Sequence, residues 1–426
     1  MKVAFYTLGC KANQFETQAL ERLFRARGHE LVDFADFADV YIVNTCTVTA
    51  LADKKSRNAA RRCKRLNPAC RLILCGCYAQ MEPERAKALC GADYVIGTAD
   101  KAAVVALAEQ GGADAVSDLW HGERPVFEQL PAGGLEGRTR ALLKIQDGCQ
   151  SFCTYCLIPF ARGPSRSLPF DRAVAEARRL AAEGYRELVL TGIEISEYGL
   201  DLPGAPTLTD LIEALCAAAP QLRVRLGSLE PRTATEEFAA RCAALPNLCP
   251  HFHLSLQSGC DRTLAAMNRR YTAARYAEGC AALRRHFPLC AITTDLIVGF
   301  PGETAADFAE SLAFVRRCRL SQVHVFPYSR RQGTRAAALP GQLTAAEKEA
   351  RAQEAIEVCK ALQLDFLDSL VGQTLPVLFE QAQDGGFVGH CPQYMEVWAA
   401  GAELHNEVRP VRITARADTL LKGEIV

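Results

Sequence analysis

The sequence predicts an α/β protein in three consecutive modules: a parallel-sheet (Rossmann-like) domain over residues 1–115, a ring of strand–helix repeats over 139–365, and a small antiparallel β-barrel over 366–426. Three observations carry that reading. Up to residue 115, apolar strand-like runs alternate with amphipathic helical runs, the pattern of a doubly wound parallel sheet. From 139 on, six strand-like runs recur between Ala-rich helical segments. Beyond 366, short strands are spaced by Gly372, Gly385, Gly386, Gly389, Gly401 and Gly423, the pattern of a small barrel.

In the first module, strands are predicted over residues 3–7, 40–44, 72–76 and 93–97, and helices over 14–27, 52–66 and 83–89. Phe15, Ala19, Leu23 and Phe24 fall at helical spacing, and Gly28 stops that helix. Cys10, Cys46 and Cys77 each follow a strand. Ligands of an open parallel sheet bind outside the carboxyl ends of its strands, so three thiols delivered there make a candidate three-cysteine site. The alternative is three scattered buried cysteines. Cys75 falls on the same strand face as Cys77 and is expected to pack, as are Cys63, Cys70 and Cys90. The run from Lys54 to Arg65 is strongly basic and reads as either a solvated face or a phosphate contact. Residues 116–138 contain Pro125, Pro131, Gly133, Gly134 and Gly137, which is linker composition.

The second module opens with a strand over 139–145 leading into Gly148-Cys149-Gln150-Ser151-Phe152-Cys153-Thr154-Tyr155-Cys156. Three thiolates at this spacing can hold one face of an iron–sulfur cube and leave its fourth iron open. Zinc fits less well, because zinc sites pair CxxC with a second pair, and three structural cysteines are the remaining reading. Later strands are predicted over 188–191, 223–228, 251–256, 292–298 and 324–327, with helices over 172–183, 208–219 and 307–317. Their carboxyl ends carry Thr191-Gly192-Ile193-Glu194, Ser228-Leu229-Glu230, Ser255-Leu256-Gln257, the run from Asp295 through Gly299 to Glu303, and Phe326. Any one of these reads as a helix-capping turn, but five at one rim read as a site. Phe326 reads as a core aromatic or a ligand contact. Arg162 and Arg166 follow the cysteine loop as anion binders or as a solvated loop.

The chain has 426 residues, formal net charge zero and nineteen cysteines. Zero net charge leaves a nucleic-acid site to a local patch. No apolar run reaches about eighteen residues, which excludes a membrane helix. The first residues read as a strand, not a signal peptide, so the thiols are expected to be reduced or cluster-bound in a cytoplasmic protein.

The CxxxCxxC run with Tyr155 before its last cysteine resembles the signature of radical S-adenosylmethionine (SAM) enzymes, and the six repeats resemble their partial (β/α)6 barrel. That resemblance implies a 4Fe–4S cluster on Cys149, Cys153 and Cys156 that cleaves SAM to methionine and a 5′-deoxyadenosyl radical. Among the rim residues it implies cofactor contacts from Tyr155, Gly192, Glu194, Glu230, Gln257, Asp295, Gly299 and Phe326. Gly9-Cys10-Lys11-Ala12-Asn13-Gln14-Phe15-Glu16, Asn44-Thr45-Cys46-Thr47-Val48 and Gly76-Cys77-Tyr78-Ala79-Gln80 resemble the cysteine segments of the methylthiotransferases. This implies a second 4Fe–4S cluster on Cys10, Cys46 and Cys77, which carries the sulfur to be transferred. The segment 389–397 is similar to a TRAM domain, an RNA-binding module, yet the tail from Val371 holds seven acidic against four basic residues. The first cysteine segment and Met267-Asn268-Arg269-Arg270-Tyr271 are most similar to the branch acting on N6-threonylcarbamoyladenosine at tRNA position 37. In that branch one SAM methylates the carried sulfur and a second supplies the radical that activates adenine C2. The resemblance implies as partners the tRNA anticodon loop, a reducing electron donor and a sulfur donor. Isopentenyl-type adenosine or a ribosomal-protein aspartate are the alternative substrates. A non-catalytic iron–sulfur protein that binds RNA is the reading from another class.

Overall fold

The computed structural model describes residues 1–133 and 139–426, so Gly134 and Gly137 of the predicted linker lie outside the described residues. The first module is a sheet of β1 (Lys2–Thr7), β2 (Glu30–Val32), β3 (Val40–Thr45), β4 (Arg71–Gly76) and β5 (Tyr94–Val95), ordered β2-β1-β3-β4-β5. Every pairing is parallel. β3 is buried along its whole length, which is why it reads as an unbroken apolar run. Sequence patterning had not marked β2, a short edge strand whose Glu30 is exposed. Helices α1 (Lys11–Ala26), α2 (Ala50–Leu66), α3 (Cys77–Met81), α4 (Pro83–Cys90) and α5 (Ala103–Gln110) cover the two faces. One face packs Val43, Leu72 and Leu74 on Ala60 and Cys63. The other packs Val3, Ile42 and Ile73 on Phe24 and Val104. Cys63, Cys70 and Cys90 belong to the first core and Cys75 to the second, so all four pack as expected.

The second module contains β6 (Arg140–Lys144), the short antiparallel pair β7 (Gln146–Asp147) and β8 (Arg166–Ser167), and β9 (Glu187–Thr191). It continues with β10 (Arg223–Arg225), β11 (Ser228–Leu229), β12 (His251–Leu254), β13 (Ala291–Val298) and β14 (Gln322–Pro327). The orders are β6-β9-β10 and β11-β12-β13-β14, all parallel. The third predicted strand is thus broken at Leu226 and Gly227. A Cβ on Gly227 would lie 2.7 Å from the Leu190 carbonyl oxygen, so the two backbones close up there. A bridge from Val224 to Leu248, just before β12, carries the ring across the break. The result is the open six-stranded α/β ring that the repeats implied.

The third module, β15 (Thr374–Gln383), β16 (Gly386–His390), β17 (Glu396–Ala400), β18 (Val408–Ala417) and β19 (Leu420–Ile425), closes as a barrel in the order β15-β16-β17-β19-β18. One pairing, β17 with β19, is parallel. β18 and β19 are joined by a turn at Asp418, which takes the left-handed region (φ 52°) without a glycine. Gly423, read as a turn, lies inside β19 against Val411.

Beneath the ring, Glu187 is fully buried and holds Arg225 at 2.8 and 3.0 Å, together with Arg223. Arg225 donates to the Pro392 carbonyl at 2.8 Å and Arg223 to that of His390 at 3.0 Å, which seats the small barrel. Removing one partner of a buried ion pair costs about 3–5 kcal/mol, since the other charge is left desolvated. Glu187→Ala is therefore expected to lower the melting temperature and expose the 366–426 barrel to protease, read by calorimetry and limited proteolysis. Among the described residues, no helix is long and apolar enough to cross a membrane.

Candidate active site

β1, β3 and β4 are neighbours, with Thr7 paired to Asn44 and Thr45 to Gly76. Cys46 and Cys77 therefore leave the sheet side by side, and Cys10 follows β1 next to them. Two glycines permit this. A Cβ on Gly9 (φ 101°) would lie 3.0 Å from the Cys46 Cβ and Sγ, and one on Gly76 (φ 95°) would lie 2.5 Å from the Asn44 Oδ1 and the Thr45 carbonyl oxygen. Asn13 ties the loops together by donating to the carbonyls of Leu8 (2.7 Å) and Thr45 (3.0 Å). Burial pushes the Cys46 thiol up to about 12, and Cys77 and Cys10 add to the shift, so the three sulfurs feel one another.

The other triad sits in the loop after β7. Gly148 (φ 77°) has no room for a Cβ, which would fall 2.0 Å from the Pro164 carbonyl oxygen. The Cys149 amide donates to the Gly163 carbonyl (3.1 Å) and the Cys156 amide to that of Cys153 (3.0 Å). Backbone amides also point at sulfur, Ser151 to Cys149 and Ile158 to Cys156, both at 3.4 Å. A distant segment clamps the loop. Asn268, in the left-handed region (φ 61°), donates to the Phe152 carbonyl at 3.0 Å. Arg269 donates to the Cys153 Sγ at 3.3 Å and to the Ser255 carbonyl at 3.2 Å. Sequence reading did not assign Asn268 and Arg269 to the site, because more than a hundred residues separate them from the loop they hold.

Both donor sets fit iron–sulfur clusters. Cys149 and Cys156, like Cys46, are pushed up to about 12 chiefly by burial. Burial thus favours the neutral thiols, and a bound metal would deprotonate them. A single zinc would hold its sulfurs about 3.8 Å apart. Among the described residues, the one group of three ligand atoms within 4.8 Å of one another is Cys260, Asp307 and Glu310, so both cysteine triads are set wider than one ion needs.

A buried charge network joins the triads. Arg162, fully buried, meets Glu16 at 2.5 Å, Asp147 at 3.1 Å and Asn13 at 2.5 Å. Lys101 and Lys144 reach Glu16 at 2.7 and 3.1 Å, and Arg166 reaches Asp147 at 3.1 Å. Four cations thus face two carboxylates, with Glu128 at the margin, its pKa raised by burial. Among the described residues, the Arg162 Nε finds no hydrogen-bond partner, and the Arg162 charge acts on Cys77 and Cys10. Buried excess positive charge is costly unless an anion neutralises it, and a thiolate-bound cluster is such an anion. Neither predicted role for Arg162 and Arg166 holds. Both side chains are buried and committed to carboxylates, so they neither line a solvated loop nor reach out to a phosphate or the SAM carboxylate. On the far side, Arg331 beyond β14 holds Asp53 and Thr47, both at 2.7 Å, which brings the loop after Cys46 to the ring's mouth.

The rim residues divide. The Gln146 Oε1 accepts from the amides of Ile193 (3.0 Å) and Glu194 (2.8 Å). Gly192 is bare because a Cβ would lie 2.8 Å from the Gln146 carbonyl oxygen. Among the described residues, the buried Oε1 of Glu194 finds no hydrogen-bond partner. Burial first, then Glu197 and Glu230, raise its pKa to about 7 against the pull of Arg269. Glu230 pairs with Arg232 at 3.0 Å. Gln257, left-handed at φ 67°, links the end of β12 to Asp295 and Ile297 through its backbone. Asp295 meets His253 at 3.4 Å. Phe326 is 48% exposed, so it is not a core aromatic. Tyr155 packs beneath the loop with Met267, Phe300 and Tyr328. Gly299 makes room for Lys348, whose Cγ would lie 2.3 Å from a Cβ there.

On α2, Arg57 and Arg62 lie over the rings of Tyr78 and Phe34, and Lys64 holds Asp93, while Lys54 and Lys55 are exposed. In the small barrel, Arg416 is held by Asp368 and Arg409 lies 3.6 Å from Glu407.

A ring of parallel strands with a three-cysteine loop at its mouth is the architecture of the radical SAM superfamily, whose model matches residues 143–315. The model of the uncharacterized protein family UPF0004 matches residues 2–97. A Bacillus subtilis protein named threonylcarbamoyladenosine tRNA methylthiotransferase MtaB is 38% identical over 100% of this chain and 96% of its own length. The Thermotoga maritima protein of the same name is 34% identical over 98% of this chain and 95% of its own. A Moorella thermoacetica tRNA-2-methylthio-N(6)-dimethylallyladenosine synthase is 34% identical over 99% and 97%. Among solved structures, the radical SAM methyltransferase TsrM from Kitasatospora setae superimposes with a TM-score of 0.57 at 17% identity, over 79% of this chain and 76% of that one, a likeness of fold. The chain belongs to the radical SAM methylthiotransferase family, enzymes that use SAM and 4Fe–4S clusters.

Proposed function

We propose that the protein methylthiolates tRNA, adding a methylthio group to C2 of N6-threonylcarbamoyladenosine at position 37 in two SAM-dependent half-reactions. The observation that supports this most is the buried Arg162, which ties Asn13 and Glu16, just after Cys10, to Asp147, two residues before Cys149, and acts on Cys77. Cys149, Cys153 and Cys156 would hold the SAM-cleaving cluster, and Cys10, Cys46 and Cys77 the sulfur-carrying one. When bound, these groups supply hydrogen removal from an unactivated carbon and the sulfur that is transferred. The chain's own residues position them. Asn268 and Arg269 fix the first loop, Arg162 balances charge at the second, and the bare backbone at Gly192 leaves room beside Glu194. Phe326 offers an exposed ring for adenine, and Glu230, Gln257 and Asp295 complete the rim. Tyr155 supports the loop from beneath, and Gly299 shapes the rim by admitting Lys348. The base must leave its stack to enter, which a single-stranded anticodon loop allows at low cost. Lys54 and Lys55, exposed on α2, would meet phosphates. The modules 1–115, 139–365 and 366–426, with the linker 116–138, share this work, the last as a TRAM domain. The reaction further requires an electron donor and a sulfur donor, in the cytoplasm.

Glu194 provides a pH test. Its carboxyl is protonated below about 7 and ionised above it. An ionised Glu194 accepts a hydrogen bond from the SAM amino group better than a protonated one. SAM binding, measured by equilibrium titration, is expected to tighten as pH rises through about 7, and Glu194→Gln to flatten that profile.

The substrate is tested by anaerobic incubation of the reconstituted enzyme with SAM and tRNA, followed by mass spectrometry of nucleosides. The 2-methylthio derivative of N6-threonylcarbamoyladenosine is expected, and cells lacking the protein should lose it. Thiolation of dimethylallyladenosine alone, the activity named for the Moorella relative, would overturn the assignment. Absence of 5′-deoxyadenosine under the same conditions would point instead to a non-catalytic iron–sulfur protein.

A further inference from the structure

A cavity of about 540 Å³ lies where α1, the strands β6, β9 and β10, and the small barrel meet, lined by Lys11, Arg140, Leu142, Arg225, Glu380 and Tyr394 among others. All three modules contribute to it. The Tyr394 ring lines it, carried on a left-handed backbone (φ 67°) that tyrosine rarely adopts. His390 stacks on that ring at 4.8 Å, and three cations surround it, Arg225 at 4.6 Å, Arg140 at 5.4 Å and Lys11 at 5.6 Å from the centroid. Arg225 is neutralised by Glu187, and Arg140 by Glu380 at 2.7 Å. Among the described residues, no carboxylate pairs with the half-buried Lys11 ammonium, whose nearest recorded partner is the Tyr394 ring. Glu396, also in the lining, is exposed. The positive field reaches far. Burial, followed by Arg225 and Lys11, holds His251 well below its ordinary pKa, and burial, with smaller contributions from His253 and Lys11, lowers that of His324.

We infer that Lys11, with Tyr394 beside it, is the receptor for the carboxylate of the threonylcarbamoyl group on N6 of the substrate adenosine. This rests on the proposed reading of a tRNA adenosine as substrate and names the residue that selects its modification. Lys11 follows Cys10 directly, so one residue of the cavity wall is the chain neighbour of the sulfur-carrying triad. In adenine, N6 is three bonds from C2. A base whose C2 faces Cys10, Cys46 and Cys77 therefore hangs its N6 substituent within reach of the next residue. The two N6 groups named for the relatives differ in kind: threonylcarbamoyl ends in a carboxylate, and dimethylallyl is a hydrocarbon. An unpaired, half-buried ammonium beside an aromatic ring favours the first and rejects the second, which would desolvate the charge without replacing its partner.

The test uses cluster-reconstituted enzyme, SAM, and two anticodon stem-loops, one bearing N6-threonylcarbamoyladenosine and the other its neutral threoninamide analogue. Truncating one partner of a buried charge pair costs enough for a change of about 30-fold or more. The wild type is expected to bind and convert the acid about 30-fold better than the amide. Lys11→Gln should lose that margin on the acid and leave the amide unchanged, while Lys11→Arg should retain most of it. A wild type that treats acid and amide alike overturns the inference, and this arm needs no variant. So does a Lys11→Gln variant that weakens both equally or slows 5′-deoxyadenosine formation without RNA, because Lys11 then serves the fold or SAM. Conversion of a dimethylallyl stem-loop but of neither test RNA is the different failure, that of the substrate assignment itself.

Discussion

A Cys77→Ala variant is expected to go on cleaving SAM while transferring no methylthio group, whereas Cys149→Ala abolishes both. The two cysteines belong to sites with separate scaffolds. Cys77 leaves β4 and is set by Gly76 and the neighbouring end of β3. Cys149 is set by Gly148, the Gly163 carbonyl and the Ser151 amide. Among the described residues, the hydrogen bonds that set the loop from Cys149 to Cys156 do not use the Cys77 thiol. Changing a group that merely supports a metal ligand costs about 10–100-fold, and loss of the ligand itself is expected to exceed that range. The assay is 5′-deoxyadenosine and methylthio-nucleoside measured in the same anaerobic reaction. Equal loss of both products in Cys77→Ala would mean that the triads are not functionally distinct.

The second large effect is expected at Arg162. This guanidinium is fully buried, contacts Glu16, Asp147 and Asn13, and faces Cys77. Arg162→Met fills the space but leaves two carboxylates short of a partner, at a cost of about 3–5 kcal/mol. At about 2 °C per kcal/mol for a large chain, the melting temperature should fall by about 6–10 °C. The pH dependence follows from the same contacts. Glu16 and Asp147 are buried, which alone would raise their pKa values, yet Arg162 and the nearby lysines hold both well below the carboxylate range. The stability they contribute is present above the ordinary carboxylate pKa and is lost as pH falls through the depressed values. Arg162→Met should therefore move acid unfolding to higher pH. It should also lose iron from the Cys10, Cys46 and Cys77 site before the other, because Arg162 acts on Cys77 and Cys10.

Much of this was legible in the sequence, for identifiable reasons. The triad of Cys149, Cys153 and Cys156 is local, so spacing alone displays it. Cys10, Cys46 and Cys77 became a set because a parallel sheet brings the ends of successive strands to one edge, and the register of β1, β3 and β4 makes these strands neighbours. What stayed hidden was long-range. Arg162 resembled a loop arginine, and only the fold brings Glu16, 146 residues away, against it. Arg269 and Asn268 reach back to the cysteine loop from another strand–helix repeat. The approach of Lys348, from the helix Ala345–Ser369, to Gly299 is likewise a long-range contact. The β18–β19 turn was missed because Asp418 takes the left-handed conformation usually marked by glycine.

Iron and sulfide counted per chain, after anaerobic reconstitution of the wild type and of two variants with all three cysteines of one triad changed to alanine, most directly test the division into two cluster sites. Each variant is expected to keep half the wild-type iron, with SAM cleavage surviving only where Cys149, Cys153 and Cys156 remain. A variant that loses all its iron, or one that loses none, would contradict two independent sites.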